Sequence, residues 1–518
     1  MFIIPAYEES MKHVLAVKII LFAVFLTAFG CRENRSQSNS TSTYYKALYS
    51  KVLTYDPSQL TDTASLSVTN QIYESLLELD QHHEVRPALA ESWETSPDGT
   101  TITFRLRPGV RFHDGSELTS ADCVRSFERL LAPASRVYNY YDIIEGAEKF
   151  HSGKSKTVLG LSAPTKFLFT IKLRNPFPPF VMVLTGATAR ILPAKQVDKP
   201  DFFKRPVGTG AFQFKSSSDS KIILSKFDQY WREPARLSEI QFVIYDEAQG
   251  MVAAQTGKVH DLLTYPLNGD EPIFQTGQHV TIPVIATWVI GLNTKTAPFN
   301  SKSTRRQFIN SVSSDDFVRT FYPGQLAAGG YIPSMLPGFL KNGTARSESK
   351  VSSGATKTIR LAIPAVLAKA KEIKEYLEEK FSKNGFKVIA DIVSWDDFMN
   401  SYNKRSMQAF LFSMNADYPD TEFLARNFES TNPDNFTGIS SARLDRLIQN
   451  GRKTASRIER SKIYDEFGRA LEDEAVTLNL FHYRAHYWLA KCVRGLQPSS
   501  LGDVYIPYRT VSLEGDCQ

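Results

Sequence analysis

From Thr101 to Leu106 the chain alternates, with Ile102, Phe104 and Leu106 set between Thr101, Thr103 and Arg105. This period of two predicts a strand buried on one face. A Ser96-Pro97-Asp98-Gly99 turn leads into it, and His113-Asp114-Gly115 turns the chain again beyond it. Residues 165–173 alternate as cleanly, with Phe167, Phe169, Ile171 and Leu173 on one face. Further strands are expected at 206–214, 222–224, 240–245, 359–363, 409–413 and 478–487, and the nearly all-apolar 286–292 should be covered on both faces. The period lengthens to that of a helix at Leu66, Ile72, Tyr73, Leu76 and Leu77. It does so again at Val124, Phe127, Leu130 and Leu131, behind a capping-box-like Thr119-Ser120-Ala121-Asp122. Residues 369–381, with Ile373, Leu377 and Phe381 on one face, and 458–472 complete the predicted helices, while polar 341–358 reads as a surface loop. Strands and helices alternating without an internal repeat predict an α/β fold with mixed sheets.

The N-terminus has a different pattern. Lys12 and Lys18 precede an apolar run at 19–29, and the small residues Ala28 and Gly30 stand just before Cys31. A charged start, a short apolar core and small residues make an export signal. The run falls short of the roughly 20 residues that a spanning helix needs. A cysteine directly after a small residue resembles the bacterial lipoprotein signal, which implies that Cys31 is lipidated and begins the mature chain. An uncleaved anchor and a plain signal with an incidental cysteine are the alternatives, and Met11 is an alternative start. Residues 32–43, rich in Ser, Asn and Thr, read as a flexible tether.

Of 518 residues, 42% are hydrophobic and 22% charged, as in an ordinary globular protein. About 490 residues remain after the signal, enough for two to four domains. The net charge of +6 is dispersed, with no basic block, so no nucleic-acid partner is expected. Four cysteines are too few for a disulfide framework. With Cys31 given to lipid, an exported compartment permits a Cys492–Cys517 bridge, and Cys123, inside an apolar helical pattern, reads as a small buried residue.

Several segments in order then carry a resemblance. These are LAESWETSPDGTTITFRLRPGVRFHDGSELTSADCVRSFERL (89–130), PVGTGAF (206–212), Gln229-Tyr230-Trp231, LNTKTAPF (292–299), NADYPDTEFL (415–424) and LDRLI (444–448). Together they resemble the extracytoplasmic solute-binding proteins of ABC importers, in the oligopeptide/dipeptide/nickel-type family. Read physically, most of these residues are scaffold: Asp98-Gly99 and Asp114-Gly115 close turns, Gly208 and Gly210 let the chain bend, and Trp93 and Phe104 are core. The resemblance gives a ligand role to Asp417, because in peptide-binding relatives the aspartate of this motif pairs with the ligand's α-amino group. An aspartate capping its own turn before Pro419 is the alternative. By the same resemblance Trp288 lines the cleft, where Tyr418 is also placed, with a buried-core role as the alternative for Trp288, and the loop 59–63 with Thr61 and Thr63 forms part of its floor. Some relatives carry an acidic residue where Thr61 stands. Some also join the Trp288 and Asp417 strands by a disulfide, at the places of Ala286 and Asn415.

No nucleophile elbow, Walker loop, Rossmann fingerprint or zinc motif occurs, so no enzyme, cofactor or metal is expected. His482 and His486 are four apart, a spacing that co-ligates a metal on a helix, but NLFHYRAHYWLA alternates as a strand and makes them structural or surface residues. His82 and His83 read as solvated. The resemblance implies a bilobal periplasmic-binding-protein fold of the large three-domain, type II kind, with a hinge between lobes. Domain I would comprise 44–60, 207–297 and 482–518, domain II 61–206 and domain III 298–481. The implied function is capture of peptides for ABC permease subunits by a monomer, lipid-anchored at Cys31 on the periplasmic or cell-surface side of the membrane. A non-peptide solute (metal chelate, sugar or opine) or a receptor signalling to a partner are the other readings.

Overall fold

The alternating segments become strands of three principal sheets in the computed structural model, which describes residues 42–263, 269–341, 356–367, 369–502 and 505–517. The signal, Cys31 and the tether through Thr41 lie outside the described residues, as does most of the loop expected at 341–358. The tether expected to reach residue 43 stops short of it, since Thr43 already opens a strand. Thr101–Leu106 and Leu168–Lys172 pair antiparallel at the centre of one four-stranded sheet, flanked by Ala90–Thr95 and Leu161–Thr165. Phe104 and Phe169 face one another across the ladder and are fully buried. Against them packs the helix Ser120–Leu131, opened by the capping box of Thr119 and Asp122. Phe127 stacks on Phe169 there at 5.6 Å, and Cys123 is buried in the same helix.

A second four-stranded sheet takes Thr43–Leu48 parallel to Glu239–Ile244, followed by Lys221–Lys226 and Phe212–Ser217. Its core holds an ion pair that sequence patterning does not predict. Lys46 and Asp261 are both 0% exposed, with Nζ 3.1 Å from Oδ1. The hydroxyls of Tyr44 and Tyr508 donate to Oδ2 of Asp261 at 2.8 and 3.2 Å, and Leu263 N–H donates to Oδ1. The carboxylate is thus fully engaged, and it ties the first strand to the C-terminal segment. That segment is closed by the Cys492–Cys517 disulfide.

The third sheet has six strands in the order Leu326–Ala327, Thr477–Leu489, Gln278–Leu292, Ala409–Asn415, Lys357–Pro364 and Phe386–Val393. Gln278–Leu292 changes character along its length. Up to Val284 its residues alternate between half-buried and exposed, and from Ile285 to Leu292 all but Trp288 are buried, as the apolar run 286–292 predicts. Ala286 pairs directly with Asn415.

Two local readings change. The helix that starts near Leu66 ends at Ile72, since Leu76 and Leu77 leave the helical period to enter the core and a short strand, Leu77–Leu79. Gly208 serves close approach rather than a bend. A Cβ there would lie 2.0 Å from the carbonyl oxygen of Ile72 at that helix end. His482 and His486 lie on the strand Thr477–Leu489 and are buried, bonded to Thr287 and to His279. His83 is half-buried against Ser500.

Removing one member of a buried ion pair leaves the other charge without compensation. Asp261→Ala is therefore expected to lower unfolding stability by about 3–5 kcal/mol, measured by urea denaturation. The double replacement Lys46→Met/Asp261→Leu should cost less than the single change, because no bare charge is left behind.

Candidate functional site

A cleft of about 1130 Å³ brings together Thr61, Thr63, Trp288, Asp417 and Tyr418, every residue that the sequence assigns to a ligand. Three more that it does not assign join them: Arg136, Tyr140 and Tyr505. Thr61 and Thr63 sit at the start of the helix Thr63–Ile72, whose N-cap Asp62 accepts from Ser65 N–H at 2.8 Å, so both hydroxyls are left for the cleft. Trp288, the half-buried exception in its strand, stacks on Phe481 with ring centroids 5.9 Å apart.

Asp417 follows the strand Ala409–Asn415, and its loop is bonded back to the sheet by Ala416 N–H to Ile285 C=O at 2.9 Å. The turn is capped by Asp420, which accepts from Glu422 N–H at 2.8 Å, leaving the Asp417 side chain free of that duty. Its carboxylate accepts a hydrogen bond from the Tyr140 hydroxyl, and its backbone carbonyl accepts from the Tyr505 hydroxyl at 2.9 Å. The side chain is open to the interior of the cleft, yet protein surrounds that interior. Burial pushes the Asp417 carboxyl up from its ordinary range, against the Tyr140 hydrogen bond and the Arg426 charge. Asp417 has no cation in direct contact among the described residues; Arg426 instead lies over the rings of Phe423 and Tyr140 at 4.7 and 5.6 Å.

The residues just beyond Asp417 are heavily paired. Tyr418 is 2% exposed and its hydroxyl donates to Glu422 at 2.5 Å. Arg452 bridges Glu422 and Glu429 at 2.7 and 2.6 Å, and both guanidinium ends of Arg460 bond Asp420. Burial raises the Asp420 carboxyl and Arg460 pulls it back. These ion pairs hold the loop. Asp417, held by hydroxyls alone, keeps its charge available.

Among the described residues that line the cleft, Asp417 is the one acid and Arg136 the one base, and no histidine is present. Tyr49, Tyr140, Trp288, Tyr322, Phe481 and Tyr483 give the remainder a neutral, aromatic character. A smaller cavity of about 630 Å³ shares Leu501 and Tyr505 with the cleft. Its ionisable groups are engaged internally: Glu74 accepts from Tyr230 and Trp231, and Glu78 from Arg232. The group His260, Cys492 and Cys517 has metal-ligand proximity, but its sulfurs form the disulfide and His260 Nδ1 accepts from Tyr45 N–H. Arg136 and Tyr140 come from one segment and Tyr505 from the far C-terminal region, and none of them carries a local signal. The run Tyr138-Asn139-Tyr140-Tyr141 is the nearest to one.

The family model for bacterial extracellular solute-binding proteins, family 5 Middle, matches residues 84–436, and the chain belongs to this family. It is 23% identical to the dipeptide-binding protein DppE of Bacillus subtilis over 91% of this chain and 94% of that one. It is 25% identical to heme-binding protein A of Haemophilus influenzae over 93% and 94%. Among solved structures, the periplasmic binding protein DppA of Helicobacter pylori in complex with the peptide STSA superposes with a TM-score of 0.75 at 23% identity, covering 91% of this chain and 98% of the other. The chain therefore has the periplasmic-binding-protein fold, in a family of extracellular solute-binding proteins. Among the described residues no helix is long and apolar enough to cross a membrane.

The raised pKa of Asp417 fixes the sign of a stability effect. Its ionised form is the disfavoured one, so at neutral pH the carboxylate detracts from the stability of the unliganded fold, and that loss lifts as pH falls through the folded pKa. Asp417→Asn should leave the melting temperature of the ligand-free protein unchanged or raise it at pH 7, with the difference vanishing in acid. A marked fall at pH 7 would contradict the arrangement described.

Proposed function

We propose that the chain captures peptides in this cleft and delivers them to an ABC importer, with Asp417 as the anchor of the ligand's α-amino group. The observation that carries this reading is the Asp417 carboxylate, which faces the cleft, is bonded by a neutral hydroxyl and has no cation in contact among the described residues. An incoming ammonium supplies the missing charge, in a charge-assisted bond that strengthens as water is excluded. Trp288 offers an apolar face beside it, and Thr61 and Thr63 offer hydroxyls across the floor. Tyr418 contributes as a buried support, its hydroxyl being held by Glu422. The names of the relatives, a dipeptide-binding protein among them, support peptide as the cargo.

Binding in this reading closes two lobes about a hinge near Val207 and Ala297, with domain I as 44–60, 207–297 and 482–518, domain II as 61–206 and domain III as 298–481. In support, the two four-stranded sheets draw on separate stretches of chain, one on residues 90–172 and the other on residues 43–48 and 212–244. A lipid on Cys31 and a polar tether would hold the monomeric receptor near its permease subunits. No bond is made or broken in the ligand.

Mass spectrometry of what is released when the purified protein is denatured tests the cargo. A heterogeneous set of short peptides is expected; a single non-peptide species would overturn the proposal. Asp417→Ala should weaken peptide binding by roughly 10- to 100-fold, the loss of one hydrogen bond to a charged group. Undiminished binding would remove Asp417 from its role.

A further inference from the structure

Ala485 and Tyr487 line the cleft, so the alternation of the strand Thr477–Leu489 turns His486, set between them, onto the reverse of that wall. There Thr281 stands directly opposite it in the antiparallel ladder. His279, two residues before Thr281, shares the same face of the neighbouring strand. Three polar atoms meet at this point. His279 Nε2 lies 3.0 Å from His486 Nδ1, and the Thr281 hydroxyl oxygen lies 3.1 Å from the first and 3.2 Å from the second. Sequence spacing sets His486 beside His482; the ladder sets it beside His279, 207 residues distant.

Hydrogen bonds alone serve this triangle poorly. A ring nitrogen of a neutral imidazole either carries a proton and donates or carries a lone pair and accepts, never both. For all three contacts to be bonds, the lone pair on one nitrogen must serve two donors and the proton on the other must serve two acceptors. A divalent metal ion removes the conflict, because it takes a lone pair from each corner. The dimensions suit one. Nitrogens about 2.0–2.1 Å from a tetrahedral zinc ion stand about 3.3 Å apart, a few tenths of an ångström beyond the 3.0 Å found here.

The corners are also held in place. The His279 ring stacks on Phe274 with centroids 3.7 Å apart. His486, 7% exposed, is backed by Gly269, where a Cβ would lie 2.9 Å from its Cε1. Its Nε2 is buried with no hydrogen-bond partner among the described residues, so its side chain makes its polar contacts through Nδ1. His279 and Thr281 are exposed, which leaves a fourth corner open to water. Of the charges that act on His486, Asp270 favours a cation beside it and Arg484 opposes one.

We propose that His279 and His486, with the Thr281 hydroxyl at the third corner, bind a divalent ion of the kind imidazole prefers (zinc, nickel or copper) on the back of the cleft wall. The ion bridges the two long strands on which that wall is built and staples their register from outside the cleft. This goes beyond solute capture and does not depend on what the cleft holds. Magnesium and calcium, which take oxygen ligands, are not held there.

The test adds zinc chloride to untagged, chelator-treated protein, with binding read by isothermal titration calorimetry and stability by thermal unfolding. A single zinc ion per chain is expected, with a rise in melting temperature, since the ion binds the folded state. Magnesium chloride should give neither. His279→Gln, a change at an exposed side chain, should weaken zinc uptake roughly 10-fold or more and cancel the rise. His82→Gln, at another exposed histidine, should alter neither. No zinc uptake by the wild type overturns the assignment, as does uptake that His279→Gln leaves unchanged or that His82→Gln removes. A response to magnesium equal to that to zinc overturns it too.

Discussion

The antiparallel ladder between Gln278–Leu292 and Thr477–Leu489 is the constraint on which the rest of the molecule depends. It runs through all three hydrophobic cores: Ala485, Tyr487 and Trp488 enter one, Ile285 and Val289 a second, and Ile290, Leu292, Leu478 and Leu480 a third. Strands that feed three cores cannot shift register without moving side chains to the wrong face in each. The ladder slips between Pro283 and Thr287, where proline has no N–H to give. At this slip Val284, Ile285 and Trp288 face the cleft. Ala416 N–H bonds the carbonyl of Ile285, so the Asp417 loop is fixed to the same point. The Asp417 loop and the aromatic wall thus share one rigid origin.

Within ten residues of chain, acidic groups are put to opposite uses. Asp420 and Glu422 are buried and paired with Arg460 and Arg452. Such pairs add little net stability over apolar packing, but they fix geometry, because losing either partner is costly. Asp417 lies three residues away and has been kept out of that network. A lysine or arginine in contact with it would have lowered its pKa and occupied it; Tyr140 satisfies an oxygen without cancelling the charge.

The legibility of this structure in sequence follows the range of the interactions involved. Strands such as Thr101–Leu106 were readable because each inward residue meets the same core, and the helix after Thr119 because its cap is written in adjacent residues. The helix ending at Ile72 was not, since Leu76 and Leu77 keep an apolar look while turning to a different core, and no Gly or Pro marks the stop. The need for Gly208 comes from the Ile72 carbonyl, more than a hundred residues distant. The buried Lys46–Asp261 pair is non-local in the same way. Asp417 was reachable through its motif. Arg136, Tyr140 and Tyr505 were not, because the cleft assembles them from loops whose local sequence has no period and no motif.

In the anchoring role proposed for Asp417, a neutral partner also accounts for how one site would hold a ligand and release it. The Tyr140 hydroxyl contributes a hydrogen bond of about 1 kcal/mol net, whereas a bond to an ammonium adds about 1.5–3 kcal/mol. The difference is large enough for an ammonium to be favoured over the resting contact. It is also small enough that a modest opening, which readmits water and restores a high dielectric, removes most of the advantage. A direct Asp–Arg pair in place of the hydroxyl would have reversed this balance, since the ligand would then have to displace a partner as strong as itself. The tyrosine keeps the carboxylate satisfied when the cleft is empty and leaves it underbonded in charge, and that imbalance is what a cationic ligand end can relieve.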